Sequence, residues 1–157
     1  MKISKLIYIF VLLINLVLLT SCNKIKAVDD TEYFINVLYD YSRGEIENGC
    51  IIDLRPLEND PNSDDYDHGH IHGALSYDYN KQEKETFITW ITGLKSKKAT
   101  IIIVDSGNDE YKTIVEYLKE AGYKNIISYT LGYQSLKSSE SFKIKLEETT
   151  GTYDCGC

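Results

Sequence analysis

The sequence predicts an α/β fold with a mostly parallel central sheet of about five strands and helices on both faces. Two observations lead to this prediction. Short apolar strands alternate with amphipathic helices along the chain, and the strand from Thr100 to Val104 is almost continuously apolar. Alternating strands and helices connect through right-handed crossovers that keep the strands parallel. A strand that is apolar on both faces lies in a sheet that is covered on both sides.

Residues 1–21 have the layout of a signal peptide. Two lysines precede an apolar run from Leu6 to Leu19, and the run ends in Leu-Thr-Ser-Cys at Cys22. The run is shorter than the roughly 20 apolar residues that span a bilayer, so a cleaved signal peptide is favoured over a transmembrane helix. Leu-Thr-Ser-Cys resembles the lipobox of bacterial lipoproteins. The resemblance implies that a lipid such as palmitate on Cys22 anchors the protein in the cell membrane or outer membrane, outside the cytoplasm.

The composition favours one acidic domain that does not bind nucleic acid. The formal net charge is −7, and loss of the two N-terminal lysines makes it more negative. A surface of this charge repels phosphate backbones, so nucleic-acid binding is not expected. The sequence shows no basic patch, so we expect membrane attachment to come from the lipid. A further partner, a protein or a small molecule, is not identified, and no cofactor is predicted.

The domain is predicted to follow a polar tether at residues 22–30 and to extend over residues 31–140. From Thr31 to Tyr41 the apolar side chains recur at i, i+3, i+4 and i+7, which predicts a helix with one apolar face. The β-branched segment from Ile51 to Leu54 predicts a short strand, which is followed by a loop rich in Asn, Asp, Ser and Pro. A second extended segment is predicted near Ala74 to Tyr77.

The second half of the domain continues this alternation. A helical face is marked by four apolar residues, Phe87, Trp90, Ile91 and Leu94. The strand that ends at Val104 precedes a helix from Glu110 to Ala121, after which Gly122 suits a left-handed cap. Asn125 to Thr130 predicts the next strand. Residues 141–157 are predicted to form a C-terminal tail that ends in Cys-Gly-Cys.

The segment IIDLRPLENDPNSDDYDHGHIHGALSYDY resembles the first half of a rhodanese-like domain. That family's signature is a strand ending in Asp-x-Arg, followed by a loop with Gly-His-Ile-x-Gly-Ala. The matching residues are Asp53, Arg55, Gly69, His70 and Gly73. The order of the later helices, strands and Gly turns is also similar. The resemblance implies a three-layer rhodanese-like fold in which these signature residues are structural.

The resemblance also implies a sulfur-transfer site after the strand that ends at Val104. In the family, a cysteine begins a loop that resembles Cys-x-x-Gly-x-Arg-Ser and precedes a helix. The backbone amide groups of the loop and the N-terminus of the helix lower the pKa of the thiol and hold an anionic persulfide. Alignment on the loop glycine places Val104 at the cysteine position, and a shift by one residue places Asp105 there. Neither can carry a persulfide. We therefore predict a degenerate active-site loop that consists of Val104, Asp105, Ser106, Gly107, Asn108, Asp109 and Glu110.

The acidic residues of this loop have a structural interpretation. Asn108 or Ser106 can cap the following helix, and Asp109 and Glu110 in its first turn complement the positive end of the helix dipole. A bound cation is the alternative. A loop with these carboxylates would repel a sulfur oxyanion, which again argues against sulfur transfer.

Two alternative chemistries remain open. Cys155 and Cys157 could be the working group of a redox or sulfur-relay enzyme. His68, His70 and His72 would share one face of an extended strand, so a Zn, Ni or Cu site is a weaker hypothesis, and no metal is favoured. The favoured function is a lipid-anchored, rhodanese-like binding or scaffolding module without sulfurtransferase activity.

Overall fold

The computed structural model describes residues 24–57, 65–78 and 83–151. The predicted signal peptide, Cys22 and the two tail cysteines lie outside these residues. Seven strands are described: β1 Lys24–Val28, β2 Gly49–Asp53, β3 His70–Ile71, β4 Ala74–Ser76, β5 Thr100–Val104, β6 Asn125–Tyr129 and β7 Glu148–Thr149. Five of them form a sheet in the order β1-β6-β5-β2-β4, in which all neighbours are parallel. β3 and β7 form a separate antiparallel ribbon.

Helices cover both faces of the five-stranded sheet. The described helices are α1 Thr31–Ser42, α2 Lys84–Leu94, α3 Glu110–Glu120, α4 Tyr133–Lys137 and α5 Glu140–Lys145. One apolar cluster joins α1, α4 and α5 to Ile51 and Ile102 of the central strands. The other joins α2 and α3 to Ile52, Ile101 and Ile103. Alternate residues of β2 and β5 therefore enter opposite layers, which confirms the predicted three-layer α/β fold.

Most predicted elements agree closely with the structure. β5 has the predicted bounds, and α1 and α3 each differ from the prediction by one residue at the C-terminal end. β2 begins at Gly49, two residues before the prediction, because its pairing with β5 continues from Ile51 back to Cys50 and Gly49. Cys50 is fully buried in the layer of α2 and α3.

The ends of the domain differ from the prediction. The tether predicted at residues 22–30 contains β1, which pairs with β6 at the edge of the sheet. The tail predicted at residues 141–157 contains most of α5 and all of β7. Short edge strands give a weak sequence signal, and Val28 is the only residue of β1 that is buried. Within the described parts of the chain, no helix has the length and apolar character needed to cross a membrane.

Candidate functional site

The loop between β5 and α3 lies at the carboxyl end of a central strand. Val104, the last residue of β5, is fully buried, and so is Asp105, which follows it. The Asp105 carboxylate turns back into its own loop. Its Oδ1 accepts a hydrogen bond of 2.8 Å from the backbone N–H of Gly107, and its Oδ2 accepts one of 3.2 Å from that of Tyr111. Asp105 therefore occupies amide groups that the loop and the first turn of α3 present.

The prediction that Asn108 or Ser106 caps the helix is wrong. Asp109 is the N-cap residue of α3, in a left-handed conformation with φ 68°, and its side chain makes no capping hydrogen bond. Its Oδ2 instead accepts a hydrogen bond of 2.7 Å from Nζ of Lys112. The loop folds back sharply enough for Asp105, several residues upstream, to supply the cap.

The environment of Asp105 opposes its negative charge. Burial raises the pKa of the carboxyl above its usual value, and the nearby charges of Glu110 and Asp109 act in the same direction. The hydrogen bonds from Gly107 and Tyr111 act against this rise but are outweighed. One carboxylate oxygen of Glu110 is buried and has no hydrogen-bond partner among the described residues. The three carboxylates thus make an electronegative loop, which is unfavourable for an incoming anion.

A buried ion pair supports the same rim from the neighbouring strand. Arg55 follows β2 and forms a bidentate pair with Asp53, with its Nη2 2.7 Å and its Nε 3.0 Å from carboxylate oxygens. The guanidinium also donates to the backbone carbonyls of Gly69 at 2.7 Å and Asp65 at 3.3 Å. Its centre lies 3.6 Å from the ring centroid of Tyr133. The predicted Asp-x-Arg pair therefore fixes the loop that carries the rest of the signature.

A second loop closes against the first and was not predicted as part of the site. Gly132 has φ 78°, and a Cβ at this position would lie 2.6 Å from the carbonyl oxygen of Ser106. The next residue, Tyr133, donates its backbone N–H to the carbonyl of Asp105 at 2.9 Å. Only a glycine allows the two backbones to approach this closely. The Gly turn at residues 131–133 was the available signal for this contact.

The end of the described chain also reaches the rim. Burial and a hydrogen bond to Glu148 raise the pKa of Tyr133 well above its usual value, and the phenol donates to Oε1 of Glu148 at 2.7 Å. The same carboxylate pairs with Lys137 at 2.7 Å. Gly69, with φ 152°, passes so close to Glu148 that a Cβ would clash with it. Glu148 had no local signal in the sequence, because its partners are distant along the chain.

The histidines do not share a strand face. β3 contains His70 but ends at Ile71, and His70 is buried with its ring stacked on Tyr66 at a centroid distance of 3.7 Å. Its Nδ1 donates to the carbonyl of Tyr66 at 3.0 Å, so in the neutral ring Nε2 accepts from the Thr149 hydroxyl at 2.8 Å. His68 contacts Asp65 instead.

His72 is exposed in the turn that Gly73 completes before β4. The geometry that the metal hypothesis requires is therefore not formed by these three side chains. Within residues 24–57, 65–78 and 83–151, no group of three His, Cys, Asp or Glu side chains is placed to hold a metal ion.

These features define a three-layer α/β domain whose site lies at the strand ends, where a loop meets a helix N-terminus beside a buried Asp-x-Arg pair. Residues 39–139 match the Rhodanese-like domain family. The chain belongs to that family, and the resemblance seen in the sequence is confirmed at the level of the fold.

Solved structures are similar in fold. The crystal structure of the Alr3790 protein from Anabaena sp. has a TM-score of 0.55 at 18% identity, over 76% of this chain and 92% of that chain. The solution NMR structure of the rhodanese-like domain from the same protein has a TM-score of 0.52 at 19% identity, over 75% of this chain and 77% of that chain. No curated protein matches the sequence.

Proposed function

We propose that this chain is a membrane-anchored, rhodanese-like lipoprotein without sulfurtransferase activity, which acts as a binding or scaffolding module. The observation that carries the proposal is the position of the Asp105 carboxylate. It accepts hydrogen bonds from Gly107 and Tyr111, at the place where a sulfur-transfer loop would use its amide groups to hold an anionic persulfide. The Asp105 carboxylate therefore takes the position that a bound anion would have in such a loop.

Two further features support the absence of sulfur transfer. Val104 stands where the family resemblance places the cysteine, and residues 104–110 contain no thiol. Asp109 and Glu110 add negative charge beside the loop, which disfavours both a thiolate and a sulfur oxyanion. The buried ion pair of Asp53 and Arg55 and the close contact between the two loops support the rim, and both suit a stable surface for binding.

The sulfurtransferase assay tests the proposal directly. The full chain, purified with its lipid in detergent, is incubated with thiosulfate and cyanide, and thiocyanate is measured. We expect no turnover above the buffer rate. Turnover that requires a cysteine of this chain would contradict the proposal.

A pair of variants tests whether Asp105 blocks the loop. In Val104→Cys, we expect the introduced thiol to keep a high pKa, because the carboxylate of Asp105 still holds the amide groups. In Val104→Cys with Asp105→Ala, those groups are released and a negative charge is removed, so the thiol pKa falls. Because position 104 is fully buried, both values are measured from the pH dependence of the thiolate ultraviolet absorbance, as the difference from the parent protein without the introduced cysteine. Equal pKa values in the two variants would contradict the blocking role.

The second candidate function is a redox or sulfur relay through Cys155 and Cys157. One observation favours it: the backbone N–H of Gly151 donates to the carbonyl of Asp67 at 2.9 Å. This contact holds the chain beside the signature loop four residues before the first tail cysteine. Turnover that Cys155→Ser or Cys157→Ser abolishes would support the relay.

The anchor is tested separately with Cys22→Ala. We expect this variant to lose the lipid and to leave the membrane fraction or to remain as the unprocessed precursor. Unchanged membrane fractionation together with unchanged mass of the mature protein would contradict a lipid on Cys22.

A further inference from the structure

Four lysines lie together at the end of the sheet where the strands begin. This lysine face consists of Lys24, Lys97, Lys98 and Lys124, all of which are exposed. The backbone N–H of Lys24 donates to the carbonyl of Lys124 at 2.8 Å. Lys97, Lys98 and Lys124 line one shallow pocket of about 270 Å³. Lys97 and Lys98 are adjacent in the sequence, and the strand order β1-β6-β5 brings Lys24 and Lys124 to the same end of the sheet.

The lysines of this face form no ion pair with a described carboxylate. Five lysines elsewhere in the described chain form ion pairs, whereas Lys26, Lys95 and Lys145 do not; the paired ones are Lys84, Lys112, Lys119, Lys137 and Lys143. None of the four lysines of the face has such a partner among the described residues. The carboxylates of α3 nearest to this end along the chain, Glu116 and Glu120, already pair with Lys119 and Lys84. A local positive surface therefore exists on a chain whose net charge is −7.

The lysine face is also where the chain enters the domain. Lys24 is the first residue of β1 and follows Cys22 by two residues. Two residues of extended chain span at most about 7 Å. A lipid on Cys22 would therefore hold this end of the sheet close to the headgroups. At physiological ionic strength this span is within the Debye length of about 8 Å, so the charge of Lys24 still acts on charge in the membrane.

We propose that the lysine face docks on anionic phospholipid headgroups and orients the domain with the amino ends of its strands toward the membrane. This inference rests on the proposed anchor at Cys22 and adds a second, electrostatic contact to it. A single acyl chain binds membranes only marginally, and a basic patch is a common second contribution. The candidate site at Asp105 lies at the opposite end of β5 and so faces the aqueous phase.

Lysine acetylation measures the orientation. The full chain with its lipid is reconstituted into vesicles of phosphatidylcholine alone or with phosphatidylglycerol, then acetylated briefly and analysed by mass spectrometry. We expect the four lysines of the face to react about fivefold more slowly with phosphatidylglycerol present. This factor corresponds to about 1 kcal/mol of attraction between each lysine and the anionic surface. High salt should remove the difference. Lys112 and Lys137 are internal controls that should react equally in both vesicles.

Three outcomes would overturn the docking surface. One is equal reactivity of the lysine face in both vesicles. Another is protection of Lys112 and Lys137 instead. The third is protection that persists in detergent without phospholipid, which would indicate an acidic protein partner. Mass spectrometry of the same sample shows whether Cys22 carries a lipid. Absence of that lipid would refute the anchor, while a difference between the two vesicles would still support the lysine face.

Discussion

Removal of the Arg55 side chain should be among the most damaging substitutions in this domain. Arg55 is 1% exposed, and its partner Asp53 is fully buried. The guanidinium forms a bidentate ion pair, donates to two backbone carbonyls and covers the Tyr133 ring. Arg55→Ala leaves the Asp53 carboxylate without its counterion in the interior, and the carbonyl of Gly69 loses its donor.

The expected cost follows from these contacts. Breaking a buried ion pair by removing one partner costs about 3–5 kcal/mol, because the remaining charge stays desolvated. The lost hydrogen bonds to the carbonyls place Arg55→Ala near the upper end of that range. A domain of this size has a free energy of unfolding of about 5–15 kcal/mol, so the loss is a large part of the total. The matched control is Arg43→Ala, the only other arginine, whose ion pair with Glu45 is exposed and 3.8 Å long. Exposed pairs contribute at most about 1 kcal/mol.

Urea denaturation followed by circular dichroism measures both variants. We expect the midpoint for Arg55→Ala to fall strongly and that for Arg43→Ala to stay near the wild-type value. The double variant Asp53→Leu with Arg55→Met removes both charges and should recover a substantial part of the loss, since apolar replacement of a buried pair is often tolerated. Equal destabilisation by the two single arginine variants would refute the assigned role of the buried pair.

Two further predictions concern the loops at the rim. The pKa of Asp105 is raised in the folded protein, so the wild type should lose stability relative to Asp105→Asn as the pH rises from the ordinary carboxyl pKa of 3.8 through the raised value. Denaturation at several acidic pH values measures this difference. A relative gain over that range would contradict the shift. Gly132→Ala should cost about 2–4 kcal/mol, since it combines left-handed strain with a clash on Ser106. Gly44→Ala is the control, because Gly44 also has a positive φ, 77°, but has open space around it. Equal loss of thermal stability in the two variants would exclude the clash.

The sequence predicted the inner elements of the fold well because their signals are local. α1 and α3 follow from apolar residues at helical spacing, and β5 from a run of isoleucines bounded by a Gly turn. β1 was missed because it buries only Val28 and pairs with a strand from the far end of the chain. The lysine face was missed for a related reason, since the order of the strands brings Lys24 and Lys124 to the adjacent Lys97 and Lys98.

The candidate site was predicted in position but not in its internal contacts. The Asp53–Arg55 pair and the loop after Val104 do lie at the carboxyl ends of adjacent strands. Which side chain caps α3 could not be predicted, because it depends on the backbone conformations of Gly107 and Asp109. The contact of Tyr133 with Glu148 depends on how the chain returns to the rim after α5.

The carboxylate of Asp105 can also be regarded as a tethered ligand of its own loop. A tethered group competes at an effective concentration set by its linkage, which is millimolar even for flexible connections and far higher for a side chain in the same loop. A free anion that binds there must displace this carboxylate from the backbone N–H groups of Gly107 and Tyr111. The proposed role of Asp105 therefore predicts weak binding of every small anion at this loop, whatever its chemical identity.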